Sequence, residues 1–309
     1  MTDAVFLWVD GNDPEHQIKR SKYEQSERST SLHRGAMLPT RYKDNNEIWY
    51  SINCLRTNAG WINRIFLVID NQRPKWLSDE TAKRLDISLI DHNVIFRDHT
   101  EHLPTFSSRA IETVIHRIPN ISNEFIYLND DFFIINNTTR SDYFSNSTPI
   151  VHGQLRDTKK QPALIRKIRN IFFRPETPGS IAPRAERKIF YPNKMVRLFH
   201  TPHSINKTHY EEYINKILEE NIRYRFRDNQ QMNPISYYSN MAIRDGKAIL
   251  EAPDLLYIDP KLTHKNISIK ELEEAHSRTK TKHLCIQSLE EFDSQSRQTA
   301  ESFLDQFIY

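Results

Sequence analysis

The chain is poor in the residues that build several common sites. It has 6 glycines in 309 residues, and neither GxGxxG nor GxxxxGK[ST] occurs. The dinucleotide-binding and P-loop readings therefore lose their main support. It has 2 cysteines, Cys54 and Cys285, too few for a disulfide framework. They read as buried thiols of a reducing compartment. No apolar run approaches the ~20 residues that cross a bilayer. The opening MTDAVFLWVDGNDP has no basic segment ahead of its apolar stretch, so no signal peptide is expected and the expected location is cytoplasmic.

Charge is abundant but uneven. The net charge is +3, yet 156–197 holds twelve Lys or Arg against three acids. Such a patch attracts anions: a nucleotide, a phosphorylated polymer or an acidic membrane face. A solvated surface is the plainer alternative. Within it Leu164, Ile168, Ile171 and Phe172 share one helical face. Either this is an interfacial helix touching a membrane or capsule machinery, or it docks on its own domain.

Three short apolar runs read as buried strands: 5–9 (VFLWV), 65–69 (IFLVI) and 125–128 (FIYL). Each is followed at once by polar residues. Helical spacing appears over 46–56, 109–118 and 209–222, and the tail 300–308 is amphipathic. Strands alternating with helices predict a largely parallel α/β sheet, and ligands bind beyond the carboxyl ends of such strands. The chain reads as one domain, 1–309, with a basic, helical accessory insertion at 155–225.

Five clusters carry candidate chemistry. Trp8, Asp10 and Gly11 follow the first strand; the carboxylate suits ribose hydroxyls and Gly11 lets a ligand approach the backbone, whereas a plain turn is the alternative. Arg41, Lys43, Asp44, Asn45 and Glu47 precede a helix. Asn45 or Asp44 is the expected N-cap, and the assembly of charges at a helix start suits phosphate. The third cluster runs from Leu103 to Asp131, and its Glu112 and His116 stand four apart on a predicted helix and share a face. Asn129, Asp130 and Asp131 follow a buried strand; adjacent carboxylates suit a hard divalent ion, Mg²⁺ or Mn²⁺, shared with substrate phosphates. A turn without metal is the alternative. His200 and His203, three apart, are zinc-ligand types, but no third ligand stands at a recognisable spacing; a general base is the other use. Arg225 and Arg227 share a face if extended and could clamp phosphate.

Taken together, these blocks resemble the Stealth family of bacterial capsular polysaccharide phosphotransferases. They are also similar to the catalytic part of the animal enzyme that tags lysosomal hydrolases with N-acetylglucosamine-1-phosphate. FLWVDGNDP (6–14) resembles the first block. RYKDNNEIWYSINCLR (41–56), HLPTFSSRAIETVIHRI (102–118) and FIYLNDDFF (125–133) resemble the second, and HTPHSI (200–205) with RFRDNQQM (225–232) the third. HLCIQSLEE (283–291) resembles the fourth more faintly: where the family reads Cys-x-Asn-Asp, this chain has Cys285-Ile286-Gln287-Ser288.

The resemblance implies a glycosyltransferase-A-like nucleotide-sugar domain. It implies catalytic roles for Glu112, Asp131, His200 and Arg227, with Asp130 and Asn129 in the same motif. Arg41, Asp44 and Asn45 match the start of the second block, and His203 the third. The implied reaction moves a hexose-1-phosphate, most commonly N-acetylglucosamine-1-phosphate, from a UDP-sugar to a glycan hydroxyl and releases UMP. The expected partners are the nucleotide-sugar donor and a capsule or cell-surface glycan, not nucleic acid. A metal-dependent glycosyltransferase releasing UDP is the alternative, and a non-catalytic glycan- or nucleotide-binding module a third class.

Overall fold

The computed structural model describes residues 1–24, 36, 42, 44–157, 194–263 and 266–308. Arg41, Lys43 and the amphipathic stretch around 164–172 lie outside the described residues. The strands, in chain order, are β1 (Thr2–Leu7), β2 (Ile62–Ile69), β3 (Ile87–Asp91), β4 (Glu124–Leu128), β5 (Phe132–Ile134), β6 (Phe144–Ser145), β7 (Thr148–Asp157), β8 (Lys194–Leu198), β9 (His203–Asn206), β10 (Ile249–Glu251), β11 (Leu255–Ile258) and β12 (His283–Ile286).

A five-stranded sheet runs β3-β2-β1-β4-β9. Its first four strands are mutually parallel, and β9 is antiparallel to β4. The fold is thus α/β with a mostly parallel central sheet. Parallel strands covered on both faces need apolar residues at every position, which is why their sequences run without alternation. In β1, Ala4, Val5 and Phe6 are all fully buried. Val5 turns to the face covered by Ala110, Val114, Tyr210 and Tyr238. Ala4 and Phe6 turn to the face covered by Ile48, Ile52 and Leu55.

Two smaller sheets flank this one: β11-β12-β5, and β10-β7-β6 with β8 on β7. The antiparallel pair β7 and β8 brackets 158–193. After it, β9 returns to the central sheet, and the helices Lys207–Ile214 and Leu218–Ile222 pack into the core that also holds β1 and β4. No helix among the described residues is long and apolar enough to cross a membrane.

Three helices differ from their sequence patterns. The second helix of the chain, after Pro14–Glu24, runs Glu47–Asn58 and starts after Asn46, not after Asp44 or Asn45. The predicted helix 109–118 is Ser108–Val114, tightening into a 3-10 turn at Ile115–Arg117. The β-branched run 113–115 and the following Pro119 disfavour continuing the α-helix there. His116 therefore leaves the helical face of Glu112; it is buried and packs against Tyr210, ring centroids 5.8 Å apart. The stretch 209–222 divides into two helices around Asn215.

The core also holds neutral histidines. Burial pushes His92, His116 and His152 down to about 4 and His283 to about 3. An unfolded histidine takes its proton near pH 6.5. Between those values the unfolded chain binds more protons, so stability is complete above pH 6.5 and falls as pH drops toward 4. Each such histidine costs up to about 1.4 kcal/mol per pH unit in that window. The raised carboxyls of Asp130, Asp131, Glu47 and Asp44 oppose this trend in the same window, so the histidine part is read from a variant. His116→Phe should lessen the loss of Tm between pH 7 and pH 5, followed by circular dichroism, and an unchanged loss would contradict a buried neutral His116.

Candidate functional site

The site forms where the chain changes sheets. After Leu128 it leaves the central sheet, turns through Asn129, Asp130 and Asp131, and enters β5, which pairs with β12. The turn is closed by the Phe132 N–H donating to the Asn129 carbonyl at 3.3 Å. On one side of β4 lies the carboxyl end of β1, and on the other the start of β9. Because β9 is antiparallel, its first residue, His203, sits opposite Tyr127 and brings His200 to the same edge. Because β12 is antiparallel to β5, Cys285 sits opposite Phe132.

The result is a compact group. Ligand atoms of Asp131, His200 and Cys285 all lie within 4.8 Å of one another. The Cys285 thiol is 3.6 Å from Asp131 Oδ2, while Asp131 Oδ1 is buried and has no hydrogen-bond partner among the described residues. His200 packs on Tyr257 at 4.9 Å and edge-on to Phe132 at 6.0 Å. Tyr257 is itself held by a hydrogen bond to Gln287. Burial, reinforced by Arg197, lowers the basicity of His200, which is therefore neutral near pH 7. His203 is driven lower still, to about 3, by burial and by its histidine neighbours. It stacks on Tyr127 at 6.3 Å and meets Phe132 edge-on at 5.9 Å.

The acids around the turn crowd one another. Burial raises Asp130 well above the carboxylate range, and the charges of Asp131, Glu47 and Asp44 add to it. Burial lifts Asp131 to about 7 against the pull of the Cys285 thiol, with Glu47 and Glu290 adding repulsion. Burial likewise raises Glu47 and Asp44. Buried acids that repel, one with an unbonded oxygen, fit a divalent cation held at Asp131 with Asp130 beside it.

The second block presents a different start from the one its sequence suggests. Asn46 is the N-cap, in the left-handed conformation at φ 64 and without a side-chain cap bond. Asp44 Oδ1 accepts from Asn46 N at 2.9 Å, an Asx turn that ends before the helix begins. Glu47 folds back to accept from Asn45 N at 2.7 Å and from Asn45 Nδ2 at 2.9 Å. The carboxylate of Glu47 thus occupies the first turn.

At the end of β1, Asp10 and Gln72 exchange bonds: Asp10 N donates to Gln72 Oε1 at 2.9 Å and Gln72 Nε2 to the Asp10 carbonyl at 3.1 Å. Trp8 is buried against the helix-covered face that includes Ile48. Gly11 is approached by protein: its N–H donates to the Tyr42 carbonyl at 2.7 Å, and a Cβ would lie 2.3 Å from that oxygen.

Glu112 reaches the site through a tyrosine. The Tyr127 hydroxyl lies 3.0 Å from Glu112 Oε1 and 3.1 Å from Asn129 Oδ1, and can donate to either. Arg227 donates to Ser108 Oγ at 2.6 Å, at the start of the helix that carries Glu112, and its buried Nε has no partner among the described residues. Arg225 is different. It donates to the carbonyls of Glu101, His102 and Pro104, so it braces the loop before that helix and is separated in role from Arg227.

Sequence reasoning missed Tyr127, Tyr257 and the placement of Cys285. The only signal for Cys285 was its faint fourth-block context.

A mostly parallel α/β chain, with acids, a neutral histidine and a thiol gathered beyond the carboxyl end of β4, is thereby defined. Residues 3–28 match Stealth protein CR1, conserved region 1, and residues 41–151 match Stealth protein CR2, conserved region 2. The chain belongs to the Stealth family.

Similar proteins include the capsular polysaccharide phosphotransferase cps1A of Actinobacillus pleuropneumoniae, 43% identical over 145 residues, which are 46% of this chain and 38% of that one. The exopolysaccharide phosphotransferase SCO6023 of Streptomyces coelicolor is 31% identical over 269 residues, 83% of this chain and 42% of that one. The capsular polysaccharide phosphotransferase fcs1 of Haemophilus influenzae is 29% identical over 266 residues, 82% and 68% respectively. The chain spans less than half the length of the first two. Among solved structures, the galactosyltransferase LgtC in complex with donor and acceptor sugar analogs aligns over 99% of this chain and 95% of its own, with TM-score 0.48 and 11% identity.

Proposed function

We propose that the chain is a sugar-1-phosphate transferase of capsule or cell-surface polysaccharide synthesis. It would take a UDP-sugar, with UDP-N-acetylglucosamine the first candidate, and pass the hexose-1-phosphate to a glycan hydroxyl. The observation that carries this reading is the meeting of Asp131, at the end of the Asn129–Asp131 turn, with His200 beyond β4, in a chain with two Stealth regions.

The neutral imidazole of His200 takes the proton of the acceptor hydroxyl. The acceptor oxygen then bonds to the phosphorus that bears the sugar. The bond from that phosphorus to the bridging oxygen breaks, and UMP leaves with the electron pair. Arg227, with its unengaged Nε, stabilises charge on the transferring phosphoryl oxygens. Asp131 and Asp130 would hold Mg²⁺ or Mn²⁺, whose charge would serve the donor pyrophosphate. Glu112 holds the Tyr127 hydroxyl, which lies 3.1 Å from Asn129 Oδ1. From their place in the sequence blocks, Trp8, Asp10, Asp44, Asn45 and His203 would contact donor or acceptor, as would Arg41, which lies outside the described residues. The basic stretch 156–197 supplies an anionic-polymer or membrane contact that would weaken with salt.

Incubation with UDP-N-acetylglucosamine, a glycan acceptor and Mg²⁺ should release UMP and yield a phosphodiester signal in the phosphorus NMR spectrum of the product. UDP with a phosphorus-free product would instead assign an ordinary glycosyltransferase.

A further inference from the structure

The catalytic histidine of the proposed reaction stands beside a thiol that the reaction does not use. Cys285 is fully buried, and its Sγ, an imidazole nitrogen of His200 and a carboxylate oxygen of Asp131 lie within 4.8 Å of one another. The three come from distant parts of the chain and are held by separate elements. Asp131 ends the β4–β5 turn, Cys285 is fixed by the pairing of β12 with β5, and His200 is wedged between Phe132 and Tyr257.

We infer that Asp131, His200 and Cys285 form a binding site for a thiophilic divalent metal, with zinc as the representative ion. Carboxylate oxygen, imidazole nitrogen and thiolate sulfur are the ligands zinc uses, and three protein ligands leave its fourth position open. Mg²⁺ is a poor match for this set, because it keeps to oxygen ligands. Asp131 supplies a second, independent sign: Oδ1 is buried and unbonded, so a ligand there displaces no hydrogen bond of the protein. The Cys285 thiol donates to Asp131 Oδ2 at 3.6 Å, and a cation between the two groups would take the place of that proton. On binding, the metal takes the sulfur lone pair, the thiol proton passes to solvent, and the lone pair of neutral His200 becomes a metal ligand.

The consequence rests on the transferase reading. A zinc ion in this position occupies the lone pair with which His200 would accept the acceptor proton, and it shares Asp131 with Mg²⁺. Zinc is therefore an inhibitor that competes with the Mg²⁺-bound donor. Metal binding itself does not depend on that reading.

Cobalt titration of the purified, nucleotide-free chain tests the site. Co²⁺ should produce a thiolate-to-cobalt charge-transfer band in the near ultraviolet, and one equivalent of Zn²⁺ should bleach it. Cys285→Ser should remove the band, and His200→Gln should weaken Zn²⁺ binding by about tenfold or more, consistent with loss of one protein ligand. His99, Glu101 and His102 form another metal-capable group, on the surface, so the double variant His99→Ala/His102→Ala should keep the band. No band in the folded wild-type chain overturns the inference, as does a band that survives Cys285→Ser. If Cys285→Ser does not fold, unchanged Zn²⁺ affinity in His200→Gln overturns it alone. Metal binding by a chain that transfers nothing from any UDP-sugar would overturn the transferase reading and leave the metal site standing.

Discussion

Asp131→Asn should abolish turnover, by about 10³-fold or more, while the protein stays folded. The substitution keeps the shape of the side chain and removes its charge. The several kcal/mol that a metal ion contributes to a phosphoryl-transfer barrier corresponds to at least this factor, at tenfold for each 1.4 kcal/mol. Structure gives no reason for unfolding: Oδ1 has no hydrogen-bond partner among the described residues, and the bond to Oδ2 comes from a weak thiol donor. Removing one of several mutually repelling acids should leave Tm unchanged or raised. EDTA should silence the wild-type chain and Mg²⁺ or Mn²⁺ should restore it. Steady-state kinetics and a thermal melt of the same sample provide the check. A variant with wild-type kcat, or a wild-type chain fully active in EDTA, removes the cation from the proposed reaction.

Replacing His200 by alanine should lower kcat by about 10²–10⁴-fold, the range for loss of a general base. Donor affinity, measured by calorimetry with the UDP-sugar alone, should survive, because the imidazole acts on the acceptor. The two measurements separate a base from a donor contact. Weak donor binding with a preserved kcat would assign His200 to the nucleotide sugar instead. His203 is the neighbour most easily confused with it, but its ring is enclosed by Tyr127 and Phe132 and its basicity is the lower of the two. His203→Gln should therefore cost less than His200→Ala.

Some of this was legible before the fold was known, for identifiable reasons. Strands buried on both faces advertise themselves as unbroken apolar runs, so β1, β2 and β4 and their polar ends could be placed. The acidic turn after β4 was readable because the chemistry follows the strand immediately. The cap of the second helix was not, because an Asx turn at Asp44 and a left-handed Asn46 displaced it by a residue or two. The Glu112–His116 face failed because the helix tightened after Val114. The placement of the thiol beside Asp131 had no signal beyond the faint fourth block. The thiol is 154 residues away in sequence, and it arrives through pairing between two short strands, neither of which has a distinctive local pattern.

That pairing also sets an order of events in biosynthesis. The strands β1 to β4 all lie within the first 128 residues and pair with one another, so four of the five central strands can assemble while the rest of the chain is still being made. In its own sheet β5 is an edge whose partner is β12, which ends at Ile286. Until that strand emerges, β5 is an open edge and Asp131 has neither thiol nor wall beside it. The nascent chain therefore acquires its sheet early and its reactive corner last, and the exposed edge of β5 is the stretch that a chaperone would need to shield in between.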